Sequence, residues 1–177
     1  MKSLSLIALL AIAASPLFAA EIPVAPKKSG RTLKEVIDLA IQQGKDSTLS
    51  GAMADKLGLG ASDLPEKRLR FKQSICPDKH EHNFRVVAQR NPDGTLKPIA
   101  IQLSRVSGGK VGDKMFTDGI IFLADLDGKL AKALHNKGYA GEIKPEEMPI
   151  TSSEVKKAFR NELDFIEKQS LDLQFDR

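Results

Sequence analysis

Aromatic residues and cysteine are scarce in this sequence of 177 residues. Tryptophan is absent, tyrosine occurs once, and aromatic residues make up 5% of the chain. Proteins that bind single-stranded nucleic acid stack its bases on aromatic side chains, so the composition argues against nucleic-acid binding. The single cysteine, Cys76, excludes an internal disulfide. Its thiol must therefore be buried, free, cross-linked to a second chain or bound to a metal.

The motifs of common catalytic and nucleotide-binding sites are also missing. The sequence contains no G-x-S-x-G nucleophile motif. The segment Gly108–Lys110 precedes Val111 rather than serine or threonine, so it does not match a phosphate-binding loop. The segment Asp125–Gly128 resembles the start of a calcium loop, but the twelfth position holds Asn136 instead of glutamate. These mismatches favour a non-catalytic protein over an enzyme.

A long apolar run occurs only at the N-terminus. A basic residue precedes the run Leu4–Ala14, and small residues follow it, which predicts a cleaved signal peptide over residues 1–20. The run is shorter than the roughly 20 apolar residues that span a bilayer, so no stable membrane anchor is expected. We therefore expect export to the periplasm or the extracellular medium. Residues 21–31 predict a flexible leader, and residues 32–177 predict a single domain.

The first part of this domain shows two helical patterns. Thr32 and Glu35 fit a capping box, and Gly44 fits a left-handed cap at the other end of the same helix. A weaker helix is predicted within residues 46–60, where three apolar residues are spaced by four. These residues are Leu49, Met53 and Leu57.

The last helix has a clearer pattern. Thr151 and Glu154 fit a second capping box, and the helix is predicted to extend to about Gln169. Glu162 and Asp164 are expected on a solvated surface, because residues two apart on a helix do not face each other. One apolar stripe is formed by Val155, Ala158, Phe159, Leu163 and Ile166.

The centre of the chain predicts strands. Apolar and polar residues alternate over 84–89 and again over 99–104, on either side of the turn sequence Asn91–Gly94. Five apolar residues in succession over 120–124 indicate a strand that is covered on both faces. Residues 129–136 fit either a strand or a short helix, and the turn before them favours the strand.

These elements predict an α+β fold. Strands joined by short turns must be antiparallel, which gives a meander sheet of three to four strands. The N- and C-terminal amphipathic helices have matching apolar faces, so they are expected to pack against this sheet. Residues 138–150 are predicted to form a loop, and the tail 171–177 either packs back on the domain or frays.

The densest group of metal-binding side chains lies between Cys76 and His82. A thiolate and two imidazoles, from Cys76, His80 and His82, form a ligand set suited to zinc or copper. His80 and His82 would share one face of a strand, because side chains alternate every two residues. Asp78 or His135 would complete the set. The alternative interpretation is a solvated loop that enters a strand with Cys76 half buried.

Two functional hypotheses follow from these patterns. The first is an exported, non-catalytic binding or accessory domain that recognises a protein or a small ligand. The net charge of +4 agrees with an anionic partner, and no cofactor is required. The second is a metal-binding or thiol-dependent protein that acts through Cys76, His80 and His82, with zinc or copper as its cofactor.

Overall fold

The computed structural model describes residues 30–71, 80–111, 114–139, 144–171 and 175–176. The predicted signal peptide, most of the predicted leader and Cys76 lie outside these ranges. The helices are α1 Leu33–Gln43, α2 Gly51–Lys56 and α3 Ser153–Gln169. The strands are β1 Lys45–Leu49, β2 Leu64–Phe71, β3 Glu81–Arg90, β4 Leu96–Val111, β5 Lys114–Ala124, β6 Leu130–Tyr139, β7 Lys144–Glu147 and β8 Phe175–Asp176.

The strands form one antiparallel sheet, which confirms the α+β class. Strands β1 to β7 pair in the order of the sequence, and β8 joins the sheet by pairing with β2. The prediction of three to four strands was therefore too low. Two of the uncounted strands lack a clear apolar alternation: β1 has one apolar residue, and β7 has the sequence KPEE. The predicted loop 138–150 contains β7, which is an edge strand and so tolerates Pro145.

The central hairpins agree with the turn chemistry of the sequence. Gly94 has a φ of 85° and Gly128 a φ of 81°, the left-handed conformation that glycine adopts without strain. Residues 130–139 form a strand, as the turn before them favoured. On β5, Ile121 and Leu123 pack in one core while Phe122 and Ala124 pack in the other. The apolar run in β5 is thus buried on both faces, as predicted.

Helix α1 begins and ends where the sequence predicted, but its C-terminal cap differs. The capping box is present: the Thr32 amide donates to Glu35 Oε2 at 2.8 Å, and the Glu35 amide donates to Thr32 Oγ1 at 3.4 Å. Gly44 has a φ of −67°, so the prediction of a left-handed cap was wrong. The glycine is needed for another reason, since a Cβ at this position would collide with the carbonyl oxygen of Ala40.

The segment predicted as a weak second helix divides into a strand and a shorter helix. Its first part forms β1, and α2 begins after Ser50, whose hydroxyl accepts from the Met53 amide. Leu49 and Leu57 are buried, and Met53 packs against them in one core. The apolar spacing of four therefore predicted the buried side correctly. It could not locate the boundary, because only one residue of β1 is apolar.

The sheet carries a hydrophobic core on each face. Helices α1 and α3 cover one face through residues such as Val36, Ala40 and Phe159. Helix α2 covers part of the opposite face through Ala54 and Leu57. The N-cap of helix α3 is one residue later than predicted, because the Ser152 hydroxyl, not that of Thr151, accepts from the Glu154 amide at 3.2 Å.

Candidate functional site

The face of the sheet under α1 and α3 changes from apolar to polar within two residues along three of its central strands, β3, β4 and β6. One row across β3 to β6 is wholly apolar and buried, and it consists of Phe84, Leu103, Phe122 and Ala133. The next row on the same face consists of His82, Arg105, Ile120 and His135. We call this second row the His–Arg row. Strand register therefore brings together residues that are up to 53 positions apart in the sequence.

His82 is held between β3 and α3 by a buried carboxylate. Its Nδ1 lies 2.8 Å from Glu162 Oε1 and 3.0 Å from Oε2, the geometry of one N–H shared by two acceptors. Each of the two side chains is only 4% exposed. The imidazole also stacks on Phe165, with ring centroids 4.1 Å apart. These contacts fix both the position and the orientation of the ring.

The burial of Glu162 corrects one prediction. Glu162 and Asp164 were expected on a solvated surface, but only Asp164 is exposed. Glu162 shares the buried face of α3 with Val155, Phe159 and Ile166. Their spacing of four, three and four residues is the helical repeat, so the sequence did contain a signal for this carboxylate. A buried acid in such a stripe requires a polar partner, which here is His82.

A second imidazole–carboxylate pair lies at the other end of the His–Arg row. His135 Nε2, on β6, is 2.8 Å from Asp118 Oδ1, on β5. Lys137 Nζ lies 3.8 Å from the other oxygen of Asp118. The Ser107 hydroxyl donates to the backbone carbonyl of Asp118 at 3.2 Å. This pair is more open than the first, because His135 is 35% and Asp118 39% exposed.

Two adjoining cavities lie on either side of Arg105. The larger, of about 340 Å³, lies under α3 and is lined in part by His82, Glu162 and Phe165. The smaller, of about 170 Å³, is lined in part by His80 and His135. Arg105 and Ile120 line both cavities. We call the two cavities together the histidine groove, since they contain all three histidines of the chain.

The predicted metal ligands are placed only in part. His80 immediately precedes β3 and His82 lies within it, with their ring centroids 6.5 Å apart. Cys76 and Asp78 lie outside the described residues, so the three-residue ligand set stays a prediction. Within the described ranges, no group of three or more histidine, cysteine or acidic side chains is arranged to hold a metal ion.

The sequence patterns did not reveal Arg105 as a member of the groove, and they named His135 only as a residue that would complete the metal-ligand set. Arg105 occupies an ordinary polar position in β4, and His135 lies 53 residues from His82. Only the register of four strands brings them together.

Among the described residues, no helix is both long and apolar enough to cross a membrane. Searches against protein-family models, curated proteins and solved structures gave no match to this chain.

Proposed function

We propose that this protein is an exported, non-catalytic binding domain whose histidine groove holds a small oxyanion, such as a carboxylate or a phosphate. The observation that carries this proposal is the position of Arg105, which lines both cavities of the groove. Guanidinium has five N–H donors in a planar fork, which suits carboxylate and phosphate oxygens. Export is inferred from the signal-like residues 1–20.

The carboxylates of the groove support an anionic rather than a cationic ligand. Glu162 is paired with His82, and Asp118 is paired with His135. The remaining acid in the lining, Glu154, is exposed on the first turn of α3. Lys157 adds a second basic residue to the larger cavity. We place the anion between Arg105, which lines both cavities, and Lys157, which lines the larger one.

The test is a change of one arginine in the groove. In Arg105→Gln, the affinity for the oxyanion is expected to fall by a factor of about 10 to 100. A charge-assisted hydrogen bond contributes about 1.5–3 kcal/mol, which corresponds to that loss. The probes are inorganic phosphate and succinate, titrated calorimetrically into the purified mature chain at low ionic strength.

The matched control is Arg90→Gln, which removes an exposed arginine from the far end of β3. This variant should bind both probes like the original chain, because Arg90 does not line either cavity. Equal losses in the two variants would point to general charge attraction and contradict the proposal. Failure of the unaltered chain to bind either probe would also contradict it.

One contact favours the metal-binding alternative as a second candidate. Histidines that bind a metal usually direct their other ring nitrogen at a carboxylate, which orients the ring. His82 has this arrangement, because its Nδ1 is held by Glu162. Nε2 would then be the nitrogen that binds the ion. Cys76 and His80 would complete the ligand set, with zinc or copper as the ion.

The metal-binding hypothesis predicts that Cys76→Ser and His80→Ala each abolish the binding of Zn²⁺ or Cu²⁺. Binding would be measured by titration of the pure, tag-free protein, with the bound ion counted by native mass spectrometry. Asp93→Asn is the control and should retain the ion, because Asp93 lies in the turn at the opposite end of β3 from His82. Undiminished affinity in both ligand variants would refute the hypothesis.

A further inference from the structure

A separate cavity lies on the face of the sheet opposite the histidine groove. It has a volume of about 300 Å³ and lies between α2 and strands β1 to β5. We call it the α2 cavity. Its polar lining includes Glu66, Arg85, Gln102 and Ser104. None of the residues that line it also lines the histidine groove, so inferences about the α2 cavity do not depend on the proposed function.

The polar residues of the α2 cavity form a network around Arg85. Glu66 Oε1 accepts from Ser47 Oγ at 2.7 Å, and Arg85 Nε lies 3.2 Å from the same oxygen. Arg85 Nη1 donates to Ser104 Oγ at 3.3 Å. Strand register places Gln102 directly opposite Arg85. One carboxylate and one guanidinium thus lie side by side, so this part of the lining has no net charge.

Two buried acceptor atoms in this network have no hydrogen-bond partner within the described part of the chain. They are Glu66 Oε2 and Gln102 Oε1, on side chains that are 5% and 3% exposed. Leaving a buried polar atom unpaired costs about 1–3 kcal/mol. Two such atoms in the lining of one cavity indicate that a donor from outside the chain completes the network.

The chemistry of the lining defines the molecule that fits. Two unpaired acceptors require a group with several N–H donors, and Glu66 favours a positive one. Burial lowers the pKa of Arg85, and the charge of Glu66 only partly offsets this effect. A carboxylate of a ligand beside the guanidinium would therefore stabilise its charged form. Leu49, Met53 and Ile121 supply an apolar wall. An ammonium group, a carboxylate and an aliphatic side chain occur together in the aliphatic amino acids.

We propose that the α2 cavity binds a small aliphatic amino acid as its zwitterion. The ammonium group donates to Glu66 Oε2 and Gln102 Oε1, the carboxylate accepts from Arg85, and the side chain packs on the apolar wall. The zwitterion has no net charge, and this matches the neutral pair of Glu66 and Arg85.

The probe is L-leucine, titrated into the mature chain and followed by amide chemical shifts. We expect saturable shifts at residues of α2 and at Gln102 and Ser104. A matched probe is 4-methylpentanoate, which keeps the carboxylate and the aliphatic body but lacks the amine. It should bind at least about tenfold more weakly, because it cannot donate to the two acceptors. Equal binding of the two probes would overturn the proposal.

Two variants locate the binding in the α2 cavity. Gln102→Leu and Glu66→Gln should each weaken leucine binding at least about tenfold. Gln89→Leu is the matched control, because Gln89 is exposed and lies outside the cavity. If Gln102→Leu does not fold, Glu66→Gln carries the test, since it conserves the shape of the side chain. Absence of leucine binding at about 10 mM, about ten times the dissociation constant of a 1 mM ligand, would overturn the proposal.

Discussion

Glu162→Ala is expected to lower the free energy of unfolding by about 3–5 kcal/mol. The alanine would leave the His82 imidazole buried, at 4% exposure, without the carboxylate that now contacts its Nδ1. Removing one member of a buried polar pair is costly because the other member still has no access to water. The measurement is urea-induced unfolding followed by circular dichroism at pH 7.

Two further variants on α3 separate this effect from general helix damage. Glu162→Gln keeps the shape and one acceptor oxygen, so its expected loss is smaller, about 1–2 kcal/mol. Asp164→Asn changes an exposed acid on the same helix and should cost less than about 0.5 kcal/mol. If Glu162→Ala were no less stable than Asp164→Asn, the buried pair would not contribute to stability.

Gly51→Ala is expected to lower the free energy of unfolding by about 2–3 kcal/mol. A Cβ at this position would collide with the carbonyl oxygen of Ala61, which belongs to the backbone and cannot rotate away. Overpacking of this kind costs about 1–3 kcal/mol. The Gly51 amide also donates to Asp63 Oδ1 at 2.6 Å, so a shift of α2 would strain a second contact. Urea unfolding measures the loss.

The control for this substitution is Gly109→Ala. Gly109 is exposed on β4, and a Cβ there would meet no atom within 4 Å. The free energy of unfolding of the Gly109→Ala variant should stay within about 0.5 kcal/mol of that of the original chain or rise slightly. Ser50, which precedes Gly51, and Met53, two residues after it, both line the α2 cavity. Gly51→Ala should therefore also weaken leucine binding there. Equal stability of the two variants would mean that α2 does not pack tightly on residue 61.

The sequence predicted elements whose signals are local. The capping box at Thr32, the hairpin at Asn91–Gly94 and the C-terminal helix all depend on residues that lie within one turn of each other. The sheet was undercounted in part because β1 and β7 pair through their backbones and carry few apolar side chains. Pairing of that kind leaves no periodic signal in the sequence.

The candidate site was predictable only in part, for a related reason. His80 and His82 are neighbours in the sequence, so their shared face follows from strand geometry alone. Arg105, Asp118 and His135 join them through the register of β3 to β6, which depends on every hairpin between them. The burial of Glu162 was not predicted, although its helical spacing from Phe159 and Ile166 places it in the buried stripe of α3.

The open meander has a consequence for self-association. An unpaired sheet edge offers backbone donors and acceptors to a strand of any other chain, which is how many exported β proteins begin to aggregate. Here one outer strand is only four residues long and carries Pro145 between charged residues, and the opposite outer strand begins with Lys45 and Asp46. Beyond the N-terminal residue of β1, the edge of β2 is occupied by β8. A second copy that approached either of these two outer strands would meet charge or a missing N–H, which disfavours edge-to-edge pairing there.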